Sequence, residues 1–243
     1  MSNTAKDLKY VMCPGSCPDP DFYKYYDKIF DCWSTVWKDA LVELKANKQL
    51  HSDAFTRQDY IGAIFWKDHC VALSFFRWTY AFQKAFSQDS YFSNWTDNHQ
   101  DSLRSRGDKI IVCSYFTVHP LARGTQLGFS GKDLMMGMII ETFLGSKADG
   151  MTGAVRVNKH VNEASVRWGG LEIAKEIPSG FQDTTVDLIG FFKDHIESQP
   201  SPDLKPLCNE LWQNRLMIPR LHAEFDYQER AAPPVKPPVK KVA

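Results

Sequence analysis

Between residues 22 and 44, apolar side chains return every three or four positions: Phe22, Tyr26, Ile29, Phe30, Trp33, Trp37, Leu41 and Leu44. That spacing lays one stripe along a helix of about six turns, with Asp19 or Asp21 placed to cap its start. The pattern changes at residue 60. Tyr60 to Trp66 and Cys70 to Trp78 are short apolar runs separated by Lys67, Asp68 and His69, which predicts an antiparallel hairpin. Residues 80–107 mix Tyr80, Phe82, Phe86, Tyr91, Phe92 and Trp95 with many polar residues. No clean period survives there, and the segment reads as an irregular or partly helical insertion.

From Lys109 to His119 the chain is rich in β-branched and aromatic residues, the composition of a strand. A loop over 120–131 follows, then a helix with Leu134, Met135, Met138, Ile139, Thr142 and Phe143 on one face. A short strand, Gly153 to Val157, precedes a second helix from about Lys159 to Trp168, stopped by Gly169 and Gly170. Leu171 to Ile177 and Thr184 to Lys193 read as two further strands around a turn at 178–180. The first 18 residues are polar and punctuated by Pro14, Gly15 and Pro18; the C-terminal third is mixed. From Ala231 the Pro/Lys/Val-rich tail is expected to be extended and disordered.

These elements suit one α/β domain over 1–230, with 231–243 as a tail. Lysine plus arginine equals aspartate plus glutamate at 29 each, so no basic excess points to nucleic acid. No run of about 18 apolar residues is present, so no membrane span is expected. With no export signal visible either, the reading is a cytoplasmic protein. Cys32, Cys70 and Cys113 lie in apolar stretches, where a thiol packs as a small hydrophobe. Cys13 and Cys17 share a loop but lack a second closely spaced Cys/His pair to complete a zinc site. They read as ordinary thiols, and no metal is expected.

The candidate chemistry lies in the strand, loop and helix at 109–147. Backbone N–H groups at a helix start lack intrahelical partners and favour an anion. Gly131-Lys132 is followed by Asp133, which fails the Gly-Lys-Ser/Thr of a nucleotide P-loop, and no Gly-x-Gly-x-x-Gly is present. Val118-x-Pro120-x-x-Arg123-Gly124, between a strand and an amphipathic helix, resembles the acyl-CoA pyrophosphate loop of GNAT-superfamily N-acyltransferases. That family's loop runs Arg/Gln-x-x-Gly-x-Gly/Ala; here Gln126 stands at the middle glycine, while Gly124 and Gly128 remain. The family's next helix carries Asn-x-x-Ala-x-x-x-Tyr-x-x-x-Gly-Phe. Laid over this chain without gaps, Asn158 takes the asparagine position, Val161 the alanine, Ser165 the tyrosine, and Gly169-Gly170 the Gly-Phe. Starting instead at Asn162 would shorten the helix. The resemblance spans 109–193.

The resemblance implies a central mixed, mostly antiparallel sheet flanked by helices, here with an N-terminal helix and an aromatic-rich insertion. It implies direct attack of a primary amine on an acyl-CoA thioester, with an acyl-carrier protein as the alternative donor. CoA is then a co-substrate, and no cofactor is held permanently. The pantetheine arm would lie between splayed strands 109–119 and 153–158. Phe116 and Val118 would offer backbone groups, and Arg123, Gly124, Gln126, Gly128, Ser130 and Gly131 would hold the diphosphate. Asn158 would touch the arm or a bound water. His119 is the candidate base, since a histidine titrates near neutrality. Ser165 is the candidate acid for the leaving thiolate, a weaker one than tyrosine. The aromatic segment 75–95 is expected either to line an acyl tunnel, as in relatives making N-acyl amino acids or acyl-homoserine lactones, or to be a lid on the sheet. The competing reading is a GNAT-like acyl-CoA sensor or scaffold without turnover.

Overall fold

The computed structural model describes residues 6–16, 19–46, 49–124, 127–179, 184–199 and 202–225. Readings attached to Cys17, Gln126, Gly180 and the 231–243 tail fall outside the described residues.

The first strand, β1 (Leu8–Cys13), arises inside the segment whose pattern is merely polar. Leu8, Tyr10 and Met12 enter one core and Val11 and Cys13 the other. A strand covered on both faces shows little alternation, so periodicity does not reveal it. The helix α1 (Tyr23–Glu43) forms as its stripe predicts. It packs Ile29, Cys32 and Trp33 onto Ile61, Phe65, Leu73 and Phe75, with Phe55 of α2 (Asp53–Thr56) between them. Those partners come from the hairpin β2 (Tyr60–Trp66) and β3 (His69–Tyr80). β2 is antiparallel to both β1 and β3.

The insertion forms α3 (Lys84–Ser87), a 3-10 turn at Ser90–Phe92, and α4 (Asp97–Arg104), capped by Thr96. Its aromatics Phe86, Phe92 and Trp95 pack on Ile110, Val112, Leu188 and Phe192. It therefore covers one face of the sheet, beside the half that α1 covers.

The remaining elements are β4 (Lys109–Val118), α5 (Gly131–Leu144), β5 (Gly150–Arg156), α6 (Val161–Arg167), β6 (Leu171–Pro178) and β7 (Thr185–Phe191). After them come α7 (Lys193–Ser198), α8 (Lys205–Gln213) and β8 (Leu216–Met217). All eight strands share one sheet in the order β6-β7-β5-β4-β3-β2-β1-β8. Among the described residues only β4/β5 and β1/β8 are parallel pairs. The mostly antiparallel mixed sheet implied by the sequence is thus present.

The sequence expectation for α5 needs correction. It is buried on all sides, eleven of its fourteen residues being inaccessible, because the sheet lies beneath it and α8 above. Gly137 permits that closeness: a Cβ there would stand 2.4 Å from Cys208 Sγ and 2.6 Å from the Trp168 ring. α6 also starts two residues later than expected, after a 3-10 turn at Val157–Lys159, and His160 adopts φ 55° at the junction. No described helix is long and apolar enough to cross a membrane.

Candidate active site

β4 and β5 run parallel for only three paired positions, Ile110 with Gly150, Ile111 with Met151, and Val112 with Thr152. Beyond these β4 stays with β3 as far as Val118, and β5 stays with β7 as far as Arg156. The sheet splits between them. A bulge sharpens the split: the β3/β4 register shifts between Leu73 and Phe75, leaving Tyr115 and Phe116 without their own partners. Tyr115 sits at φ 52°, a costly conformation for an aromatic residue. Its ring is held by Trp37, Phe75 and Trp33, at centroid distances of 4.8, 5.0 and 5.7 Å. Thr117 Oγ1 donates to the Tyr115 carbonyl at 2.6 Å.

The split opens a cavity of about 580 Å³. Its inner wall is apolar and includes Cys113, Phe116, Met136, Ile139, Val155 and Phe191. Among the described residues six charged ones line its mouth: Asp39 and Glu43 from α1, Arg123 after β4, Lys132 at the start of α5, Arg156 at the end of β5 and Lys159 just beyond it. They converge because they all lie at the carboxyl ends of the split strands or on the helix ends facing them. Glu43 Oε1 pairs with Lys159 Nζ at 2.6 Å and with an Arg156 guanidinium nitrogen at 3.5 Å. The Lys159 hydrogen bond, and then the charges of Lys159, Arg156 and Arg123, hold the Glu43 carboxyl below its ordinary range. Lys132 Nζ donates to the His160 carbonyl at 3.1 Å, and Arg123 Nε to the Val118 carbonyl at 3.0 Å. Asp39 has no hydrogen-bond or ion-pair partner among the described residues.

Of the residues singled out from sequence, Phe116, Val118, Arg123, Gly124, Ser130, Gly131 and Ser165 line this cavity. Gly128, His119 and Asn158 do not, and Gln126 is outside the described residues. Gly124 and Gly128 both hold φ 77°, the left-handed backbone that glycine permits. Ser130 Oγ accepts the Asp133 N–H at 3.2 Å, capping α5. Ser165 is buried and donates to the Val161 carbonyl at 2.9 Å, so its proton is committed within the helix. Asn158 is exposed, its Oδ1 3.4 Å from Arg156 Nε. Asn162, the other start considered for the helix motif, donates to Asp187 at 2.9 Å.

His119 caps the 3-10 turn at Pro120–Ala122, its Nδ1 accepting the Leu121 N–H at 3.2 Å. Partial burial, then the charges of Arg123 and His69, hold its pKa below the ordinary histidine value. In the neutral ring the lone pair on Nδ1 is used by the Leu121 N–H and the proton lies on Nε2. That arrangement leaves no free lone pair for a base.

The tunnel expectation for 75–95 is corrected: no residue of that segment lines the cavity; Phe86, Tyr91, Phe92 and Trp95 pack against the sheet, and Phe75 and Phe76 lie in its other two cores. One side of the cavity comes instead from α1, through Trp37, Asp39, Ala40 and Glu43, a helix whose stripe reads only as core packing. Asp39 and Glu43, four residues apart and therefore on one helix face, were the available signal. Arg156 and Lys159 flank the Asn158 position and were passed over. Cys113 also reaches the wall, but burial pushes its thiol up to about 12, so it stays protonated at neutral pH. Among the described residues no cluster of His, Cys, Asp and Glu is arranged to hold a metal.

No protein-family model matches this chain, and no curated protein sequence does. Solved structures match in fold. FeeM, an N-acyl amino acid synthase from uncultured soil microbes, aligns over 80% of this chain and 95% of its own, with a TM-score of 0.55 and 11% identity. BjaI, a CoA-dependent acyl-homoserine lactone synthase, aligns over 83% and 98%, at a TM-score of 0.49 and 9% identity. The acyl-homoserine lactone synthase LasI aligns over 75% and 89%, at 0.47 and 11%. The likeness to FeeM is one of architecture, extending over most of both chains. The mixed, mostly antiparallel sheet flanked by helices implied by residues 109–193 is the fold of this protein, and FeeM shares it.

Proposed function

We propose that the protein is an N-acyltransferase moving an acyl group from a CoA thioester, or a carrier-protein thioester, to a primary amine. One observation carries the reading: β4 and β5 part after Val112 and Thr152, opening a cavity cationic at its mouth and apolar within. An acyl thioester on a phosphorylated pantetheine arm has the same polarity, phosphate at one end and alkyl chain at the other. Its diphosphate meets Arg123, Lys132 and the first N–H groups of α5, where an anion is favoured. The amide-bearing arm bonds to the backbone edge of β4 that β5 has left. The acyl chain enters the apolar wall of Met136, Ile139 and Phe191.

In this reading the amine nitrogen attacks the carbonyl carbon directly. Cys113, the thiol of the wall, is protonated and a poor nucleophile. A backbone N–H near Phe116–Val118 stabilises the oxyanion as the tetrahedral centre forms. The C–S bond then breaks, and the thiolate takes a proton from solvent, since Ser165 donates within its helix. Asp39 holds the acceptor's ammonium; one proton leaves to solvent to free the attacking lone pair, and Asp39 takes the second from the nitrogen of the tetrahedral centre as it collapses. His119 serves as the cap that fixes the end of β4.

The fold shared with an N-acyl amino acid synthase makes amino acids the first acceptors to try. Decanoyl-CoA incubated with the protein and a panel of amino acids and simple amines should yield N-decanoyl products by mass spectrometry, with release of free CoA. Binding of decanoyl-CoA without turnover on any amine would favour the sensor reading, to which the serine at position 165 lends support.

A further inference from the structure

Glu43 is the last residue of α1, a helix of 21 residues with no basic side chain in its last turn. A carboxylate is unfavourable there, because the helix dipole already places negative charge at that end. What holds it is across the cavity: Lys159 Nζ at 2.6 Å and Arg156 at 3.5 Å. The Glu43 and Lys159 side chains are each 49% exposed, so water and small anions reach the pair. Arg156, at 16% exposure, is desolvated and keeps Glu43 as its only acidic partner among the described residues. Among the described residues four cations and two carboxylates therefore line the mouth, and one carboxylate already sits on two of the cations.

We propose that Glu43 is a resident counterion competing with the donor's phosphates for Arg156 and Lys159, and so a determinant of donor specificity. The inference rests on the acyl-thioester reading of the cavity. A ligand must bring more negative charge than the one carboxylate it displaces. A nucleotide thioester with a diphosphate and a further phosphate meets that demand; an arm with a single phosphodiester gains little by the exchange. Glu43 thereby selects multiply phosphorylated donors over singly charged ones. Displacement also frees the end of α1 from β5, coupling donor arrival to the helix that carries Asp39.

Glu43→Gln keeps the side chain's shape and removes its charge. Calorimetric titrations of wild type and variant with CoA, inorganic pyrophosphate and uncharged pantetheine separate the possibilities. A half-exposed carboxylate on two cations is held by a factor of roughly three to thirty. The variant should bind CoA and pyrophosphate more tightly by that factor, with pantetheine unchanged. The gain should shrink as salt is raised, because the competing pairs are screened. Lys159→Gln in the same background should abolish most of it. Equal or weaker binding of CoA and pyrophosphate by a variant with unaltered thermal unfolding would overturn the proposal, as would equal tightening of pantetheine. Glu43→Ala supplies a second test should the glutamine variant fold poorly. If CoA binds neither protein, the donor reading itself fails; if it binds both alike, only the counterion role does.

Discussion

The Trp37 indole N–H donates to Thr117 Oγ1 at 2.9 Å, across 80 residues of chain. It joins the helix that walls the cavity to the bulged strand that bends around it. Thr117 passes the restraint to the Tyr115 carbonyl, so the strained bulge is fixed from its own strand and from α1. Trp37→Phe retains much of the ring packing and loses this bond. Stability should fall by about 1 kcal/mol, read from urea unfolding. Turnover should fall further than that loss alone accounts for, with donor KM little changed, because the bulge carries the proposed oxyanion donors.

Arg123→Glu sets a carboxylate against the donor's phosphates. CoA affinity should fall at least tenfold by calorimetry, and folding should be preserved because Arg123 is exposed. Undiminished affinity would remove the loop at 123–131 from the donor site.

The apolar inner wall predicts a rising series. Each buried methylene contributes about 0.8 kcal/mol, so affinity should climb about fourfold per added carbon until the cavity is full. Ile139→Phe fills the wall from α5 and should move the plateau to shorter chains. Equal binding of acetyl-CoA and decanoyl-CoA would show that the wall holds no chain.

Cys113 separates direct attack from an acyl-enzyme. With its thiol pushed up to about 12, no thiolate forms across pH 6–9. Cys113→Ala should keep activity within a few-fold, and intact-protein mass spectrometry with donor alone should show no acyl adduct. A stoichiometric thioester on Cys113 would reverse the mechanism.

The acid–base assignments have opposite signatures. Asp39→Asn should cost about 10²-fold in kcat at neutral pH, and the loss should shrink as pH rises and free amine becomes plentiful. His119→Asn keeps an acceptor for the Leu121 N–H and should leave kcat close to that of wild type at each pH from 6 to 9. The histidine has a separate consequence for stability. Its folded pKa is lowered, so the unfolded chain binds the extra proton first as pH falls through the ordinary histidine value of about 6.5. Wild type should lose stability below that pH by a component that the asparagine variant lacks. A large drop in kcat for His119→Asn would restore the histidine to the chemistry.

Elements with a strong period were legible in the chain. The stripe on α1, the two apolar runs of the β2/β3 hairpin and the β-branched run of β4 all form as their patterns predict. Elements covered on both sides were less legible. β1 shows little alternation because Tyr10 and Val11 both find cores, and α5 was given one apolar face because the covering helix α8 lay in a segment without a clear pattern. The candidate site divides the same way. Arg123, Gly124 and Gly131 came from a contiguous motif, so a linear reading found them. Asp39 and Glu43 reach the cavity from some 80 residues upstream, by a packing relationship that no local spacing encodes.

The three-position ladder between β4 and β5 has a consequence for isotope exchange. Past Val112, amides of β4 directed toward β5 have no strand to bond with, although they lie inside a sheet of eight strands. Deuterium should enter them quickly in the free protein, while neighbouring amides bonded to β3 stay protected for far longer. Occupation of the split by a molecule with its own amides should close that difference, leaving a band of slowed exchange over 114–118 in an otherwise unchanged map.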